Sequence, residues 1–256
     1  YTENMVAAMV AFLVVNLIIV GLRCYVRLWL AKAYGADDLF LVLAYLGYVA
    51  ACVMGFISIH YGFTQEVYQP WSDPRFLKPQ YYWANQLVLY ISSGLVKIAV
   101  ALVLYRLACN LRNQAILVVS VIVVVIWTVV TTVFSAGICA ETTGATNYAS
   151  GPTCTDVGYF RMISNIVIDF FFALYPVPML WNSTLTRRMK YIVCGLLSLG
   201  VIASAATIVK LLLLVQLQYA EPSQLEYIHY QLLVWAVVEL GLSIFASAAA
   251  ALRPLV

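Results

Sequence analysis

Charge is scarce in this chain. Asp, Glu, Lys and Arg make up 10% of its 256 residues, against about 25% in an average soluble domain. So few charges cannot cover a water-facing surface, and an ordinary soluble globular domain is excluded. Histidine is scarcer still: the two, His60 and His229, stand at no metal-ligand spacing from a cysteine or carboxylate, and no metal site is expected. A Gly-rich phosphate loop, a Gly-x-Ser-x-Gly elbow and a His-Glu-x-x-His pair are all missing. An Asp-rich diphosphate-Mg²⁺ pattern is missing too, so prenyl transfer has no foothold, and no cofactor is expected. No internal repeat is visible, which argues against a transporter built from related halves. Tyr1 to Met5 offers no basic region ahead of the first apolar run, so no cleaved leader is expected there.

What is abundant is apolar sequence, 64% of residues, with a mean hydropathy of +0.93. It falls into seven stretches, about 4–31, 37–60, 80–108, 114–137, 156–182, 191–218 and 227–252. About 20 apolar residues in a helix cross the ~30 Å hydrocarbon core, where no water satisfies an unpaired backbone amide. The expected fold is an all-α membrane protein, a single domain of seven transmembrane helices over 1–256 with the lipid bilayer as its solvent. Gly35 and the helix-capping acids Asp37 and Asp38 mark the first boundary. Pro70, Pro74 and Pro79 place the second connection in 62–79, and Glu221-Pro222-Ser223 precedes the last span.

Lysine and arginine set the expected orientation. One side collects Arg27, Lys32, Arg106, Arg112, Arg187, Arg188, Lys190 and Arg253; the other has Arg75, Lys78 and Arg161, diluted by acids. The richer side is expected to be cytoplasmic, with the N-terminus outside or lumenal and the C-terminus inside. The net charge of +3 then reports topology, and nucleic acid is not an expected partner. Cys24, Cys52, Cys109 and Cys194 fit as small core residues. Cys139 and Cys154 bracket the fourth connection on the side assigned to an oxidising compartment, where a disulfide between them is expected. The sequon Asn182-Ser183-Thr184 falls on the cytoplasmic side and is expected to stay unmodified.

In order along these spans, a set of short motifs resembles the fungal rhodopsin-domain integral membrane proteins, pathogenicity-related and G-protein-coupled-receptor-like. They are Gly35-Ala36-Asp37-Asp38, Tyr61-Gly62, Lys97 with Leu104-Tyr105-Arg106-Leu107, Cys139 with Cys154, and Asn165 with Asp169. Pro176-Val177-Pro178, Ser198-Leu199-Gly200, Trp235, Glu239 and Leu252-Arg253-Pro254-Leu255 complete the set. Two positions depart from the usual pattern: Ala36 stands where the family has Trp, and Lys210 where it commonly has Arg. A lysine keeps the charge and loses the guanidinium fork. The resemblance implies a seven-helix fold in a fungal membrane, plasma membrane or endoplasmic reticulum. It leaves activity open, since members are described both as receptors and within secondary-metabolite gene clusters. Span 227–252 contains no lysine, so a retinal Schiff base is not expected.

An ionisable side chain near the bilayer centre costs about 2.5–3.5 kcal/mol on insertion scales, so each one calls for a reason. Lys97, Asp169 and Glu239 fall in the middle third of their spans, and Asn165 shares a helix face with Asp169 at i, i+4. They form the expected intramembrane charge network, which is open to three uses: structural ion pairs, a proton-donating site or an activation switch. Arg23 and Arg27 are expected to snorkel to headgroups. Toward the outer half, His60, Tyr82, Gln86, Tyr90, Lys210 and Tyr230 describe either an interfacial aromatic belt or a ligand-binding cup. The expected function is receptor-like sensing of a small lipophilic molecule, with a cytoplasmic signalling partner. The alternative is a cofactor-free membrane cyclase or isomerase of a lipophilic secondary metabolite, its acid drawn from Asp169, Glu239 or His229.

Overall fold

The structure, a computed structural model, describes residues 2–30, 32, 34–61, 78–108, 110–141, 152–181, 187–219 and 224–251. All the described regular structure is helical. In chain order the helices are α1 (Thr2–Tyr25), continued by a π-helical turn (Val26–Leu30), α2 (Ala36–Tyr61), α3 (Lys78–Leu107) and α4 (Leu111–Glu141). They continue with α5 (Pro152–Leu174), the short α6 (Pro176–Trp181), α7 (Arg187–Tyr219) and α8 (Leu225–Ala251). Seven are long and apolar enough to cross a membrane. The Cys139–Cys154 pair and the Asn182 sequon lie outside the described side chains.

Two boundaries differ from the sequence expectation, both through proline. Pro79 does not belong to the second connection but to the first turn of α3, where its missing N–H would find no partner in any case. The fifth span is not one helix. Tyr175 still donates to the Phe171 carbonyl at 2.9 Å, but Pro176 has no N–H for the next bond, and Tyr175 becomes a turn between α5 and α6. Pro176 then takes the first position of the new helix. At the end of the first span Lys32 has φ 47°, the left-handed conformation in which a chain commonly leaves a helix.

α3 and α8 form the centre of the bundle: 56% of each of their spans is buried, against 22% for α4. α3 packs on α2, α4 and α8, and α8 packs on α7, α1, α3 and α2. Small residues allow these approaches. A Cβ on Gly47 of α2 would collide with Ser92 of α3, and one on Gly94 of α3 with Thr128 of α4. The principal core joins Met9, Tyr48, Ala51, Cys52, Leu233 and Ile244, with other buried residues of α1, α2, α3 and α8.

Gly241 closes that core from α8. A methyl there would stand 3.0 Å from Phe12, 3.2 Å from the Tyr48 hydroxyl and 3.3 Å from the Asn16 amide, whereas Gly21 of α1 faces open space. Gly241→Ala should therefore destabilise by about 1–3 kcal/mol through overpacking. Gly21→Ala should be neutral or slightly stabilising through helix propensity. Thermal midpoints in detergent compare the two, and equal midpoints would sink this account of the α1–α2–α8 junction.

Candidate functional site

Two polar clusters lie inside the bundle. The first sits where α1 connects to α2. Arg23 is 1% exposed; its Nε donates to Asp38 at 2.7 Å, its Nη2 to Asp37 at 2.9 Å, and its Nη1 to the Ser247 carbonyl of α8. Arg106 of α3 reaches Asp37 at 2.9 Å across Gly35, whose missing side chain leaves the room. Arg27 stands farther off, at 3.8 and 3.9 Å from the two acids. The expected snorkelling of Arg23 is thus corrected: facing inward, it gains two carboxylates and a carbonyl, which headgroups would not hold as rigidly. Arg27 keeps a partly exposed side chain and only long ion pairs. Asp38 keeps its capping role, accepting from the Gly35 amide at 3.2 Å in the manner of a capping box. This cluster ties α1, α2, α3 and α8 at one end.

The second cluster lies at mid-depth. Lys97 of α3 pairs with Asp169 of α5. The side-chain amide of Asn165 donates to Asp169 Oδ2 at 3.1 Å and to Glu239 Oε1 of α8 at 3.0 Å. Lys210 of α7 donates to Glu239 Oε2 at 2.7 Å. Thr207 lies 3.4 Å from the same Asn165 nitrogen. An NH₂ group has two protons, and here each serves one carboxylate. The i, i+4 spacing of Asn165 and Asp169 puts both on the interior face of α5, so one chain of polar contacts, Lys97–Asp169–Asn165–Glu239–Lys210, joins α3, α5, α7 and α8. Glu239, buried, and Asp169, partly buried, each hold a lysine, as ions removed from water require.

A small, partly open cavity adjoins this chain. Its volume of about 40 Å³ is room for about three waters. Gln86, Tyr90, Ser93, Arg161, Asn165 and Lys210 supply much of its polar wall, with Thr207 and Glu239. Arg161 of α5 is 6% exposed. Its guanidinium lies 3.5 Å from the Tyr90 ring centroid and 4.8 Å from that of Trp127, and Nη1 donates to Thr131 of α4. Trp127 is itself held through its indole N–H on Ser164 at 2.7 Å. Among the described residues no carboxylate lies within ion-pair distance of Arg161. A cation–π contact is worth about 2 kcal/mol when desolvated, less than the several kcal/mol that burying an ion costs.

The expected network residues Lys97, Asn165, Asp169 and Glu239 all meet. Lys210, expected in an outer cup, joins them, because Glu239 lies within reach one helix away; as a lysine it brings no guanidinium fork to that carboxylate. Of the expected ligand-binding residues, Gln86, Tyr90 and Lys210 line the cavity. Tyr230 instead packs against the principal core, and the side chains of His60 and Tyr82 lie outside the described ones. His229 stands ten residues before Glu239 on α8, about 15 Å along the axis. In the sequence Arg161 stands as a charge at the aromatic opening of the fifth span, after Tyr159 and Phe160. The aromatic and hydroxyl residues that hold it, Tyr90, Trp127 and Thr131, come from two other helices, and no local pattern joins them.

The family model described as "Fungal rhodopsin domain" matches residues 22–256. The chain belongs to that family. The match begins at Leu22, next to Arg23, and takes in both polar clusters of this fungal rhodopsin-domain protein. Comparisons with curated proteins and with solved structures return no match.

Proposed function

We propose that this fungal rhodopsin-domain protein is a receptor-like membrane protein. A small molecule entering the mid-depth cavity would displace the contacts joining α3, α5, α7 and α8, and a signalling partner would read the change at the basic loops. The N-terminus is then outside or lumenal and the C-terminus cytoplasmic, in the plasma membrane or endoplasmic reticulum. The observation carrying this reading is the Lys97–Asp169–Asn165–Glu239–Lys210 chain, beside a cavity and close to the α5–α6 break at Tyr175. Packed helix interfaces are bistable rather than continuously deformable, so helices joined through this chain shift between discrete arrangements. The cyclase or isomerase alternative asks Asp169, Glu239 or His229 to hand over a proton. Asp169 and Glu239 are each engaged by a lysine and by Asn165, and His229 is far along α8, so the geometry favours sensing.

The test is a distance measurement in nanodiscs between labels at exposed Leu111 of α4 and exposed Val177 of α6. Lys97→Met with Asp169→Leu removes one ion pair without leaving a lone charge, and should add a second population of distances. A single population, identical to that of the native protein, would remove the switch. Turnover of a lipophilic compound that is lost in Asp169→Asn but kept in His229→Gln would replace sensing with catalysis.

A further inference from the structure

Among the described residues, the charges lining the mid-depth cavity do not balance: Arg161 and Lys210 face it against one acid, Glu239. Lys97 and Asp169, one step along the polar chain, cancel each other. Glu239 is hydrogen-bonded to Lys210 and Asn165, which leaves Arg161, among the described residues, as a cation with no carboxylate at ion-pair distance. It is buried, and it lines the cavity rather than the lipid face. Trp127, Tyr90 and the Thr131 hydroxyl hold it in place from α3 and α4. Only Nη1 is used by Thr131, so a five-donor guanidinium keeps donors for a further acceptor. Around it, Gln86, Ser93 and Tyr90 add neutral hydrogen-bonding groups to the same wall.

We propose that the cavity is a binding site for a single monovalent anionic group, held by Arg161. The space of about 40 Å³, about three waters, suits a carboxylate or a halide and is too small for a bulky ring system. A divalent anion would overcompensate the one surplus charge in a low-dielectric interior, where the excess would be costly. The same chemistry has two sources. A free inorganic anion would fill the cavity whole. The carboxylate of a lipophilic acid would fill it with its headgroup, and its tail would leave by the open side. This inference rests on the sensing proposal only for the consequence of binding; the site itself follows from the charge imbalance and the burial of Arg161.

The experiment uses the full chain in phosphatidylcholine nanodiscs, in sodium sulfate buffer of constant ionic strength, whose divalent anion the site disfavours. Sodium chloride, sodium acetate, sodium decanoate and uncharged decanol are titrated, with tryptophan fluorescence (Trp127 lies beside Arg161) and the thermal midpoint as readouts. Saturable binding of chloride and acetate, with decanoate no tighter than acetate, supports a free-anion site. Saturation by decanoate well below the acetate concentration, with decanol inert, supports a lipophilic acid. Arg161→Gln should weaken either response by about tenfold or more, the loss of a charge-assisted hydrogen bond, and Arg161→Lys should retain part of it. The proposal is overturned if no anion saturates, if decanol matches decanoate, or if Arg161→Gln binds as the native chain does. Should Arg161→Gln fail to fold, the decanoate–decanol comparison on the native chain still decides. Saturable anion binding with unchanged Leu111–Val177 distances keeps this site while removing the sensing proposal.

Discussion

Replacing Arg23 with leucine should nearly abolish the folded protein. The substitution leaves Asp38 without its close ion pair and Asp37 with Arg106 alone at 2.9 Å, both acids being 1% exposed at the α1–α2 end. It also strips the Ser247 carbonyl of its donor. Removing one partner of a buried ion pair costs about 3–5 kcal/mol, and Arg23 serves two carboxylates. Arg27 at 3.8 and 3.9 Å is too distant to take over without moving the π-helical turn that carries it. The loss should be read as missing monodisperse protein on size exclusion and a steep drop in thermal midpoint. Adding Asp38→Asn to Arg23→Leu should recover much of the yield, because the orphaned charge is then gone while Asp37 keeps Arg106. An Arg23→Leu variant with native yield and midpoint would show that headgroups, not the two acids, hold this arginine.

The second large effect is expected at Glu239. Glu239→Leu leaves Lys210 unpaired at mid-depth and takes one of the two acceptors from Asn165. The expected loss is again about 3–5 kcal/mol. Lys210→Met in the same chain should restore most of it, since an apolar pair of similar volume often replaces a buried ion pair at little net cost. Asn165 would still hold Asp169, and α3 and α5 would stay joined through Lys97. A double-mutant cycle on thermal or denaturant stability measures the coupling directly. Additive effects of Glu239→Leu and Lys210→Met would mean that this pair carries no coupling and that the chain is broken at α7. The Glu239→Leu/Lys210→Met variant has a further use: if it folds, it loses one cation and one anion from the cavity wall and keeps the surplus charge of Arg161.

Much of this architecture is legible along one dimension. Apolar length alone counts the seven membrane-spanning helices, because a bilayer accepts a backbone only when its hydrogen bonds are closed within the segment. Gly35, Asp37 and Asp38 mark the start of α2 because capping acts over one turn, and the i, i+4 pair Asn165 and Asp169 reports a shared face for the same reason. Lys97 and Glu239 stand out simply by being charged where lipid surrounds the span. Proline was harder to place. Pro79 and Pro176 each fit either a break or a first helical turn, and which occurs depends on whether the preceding residues stay helical.

Order along the chain sets the solvent, the helices and the residues obliged to find partners. The partners were decided in three dimensions. Arg23 turned inward to acids fourteen and fifteen residues away, Lys210 found Glu239 across a helix interface, and Arg161 was enclosed by rings from α3 and α4. The reason is physical: burial of a charge in a span is a local property, readable from its neighbours in the chain, whereas compensation of that charge depends on which faces of separate helices meet.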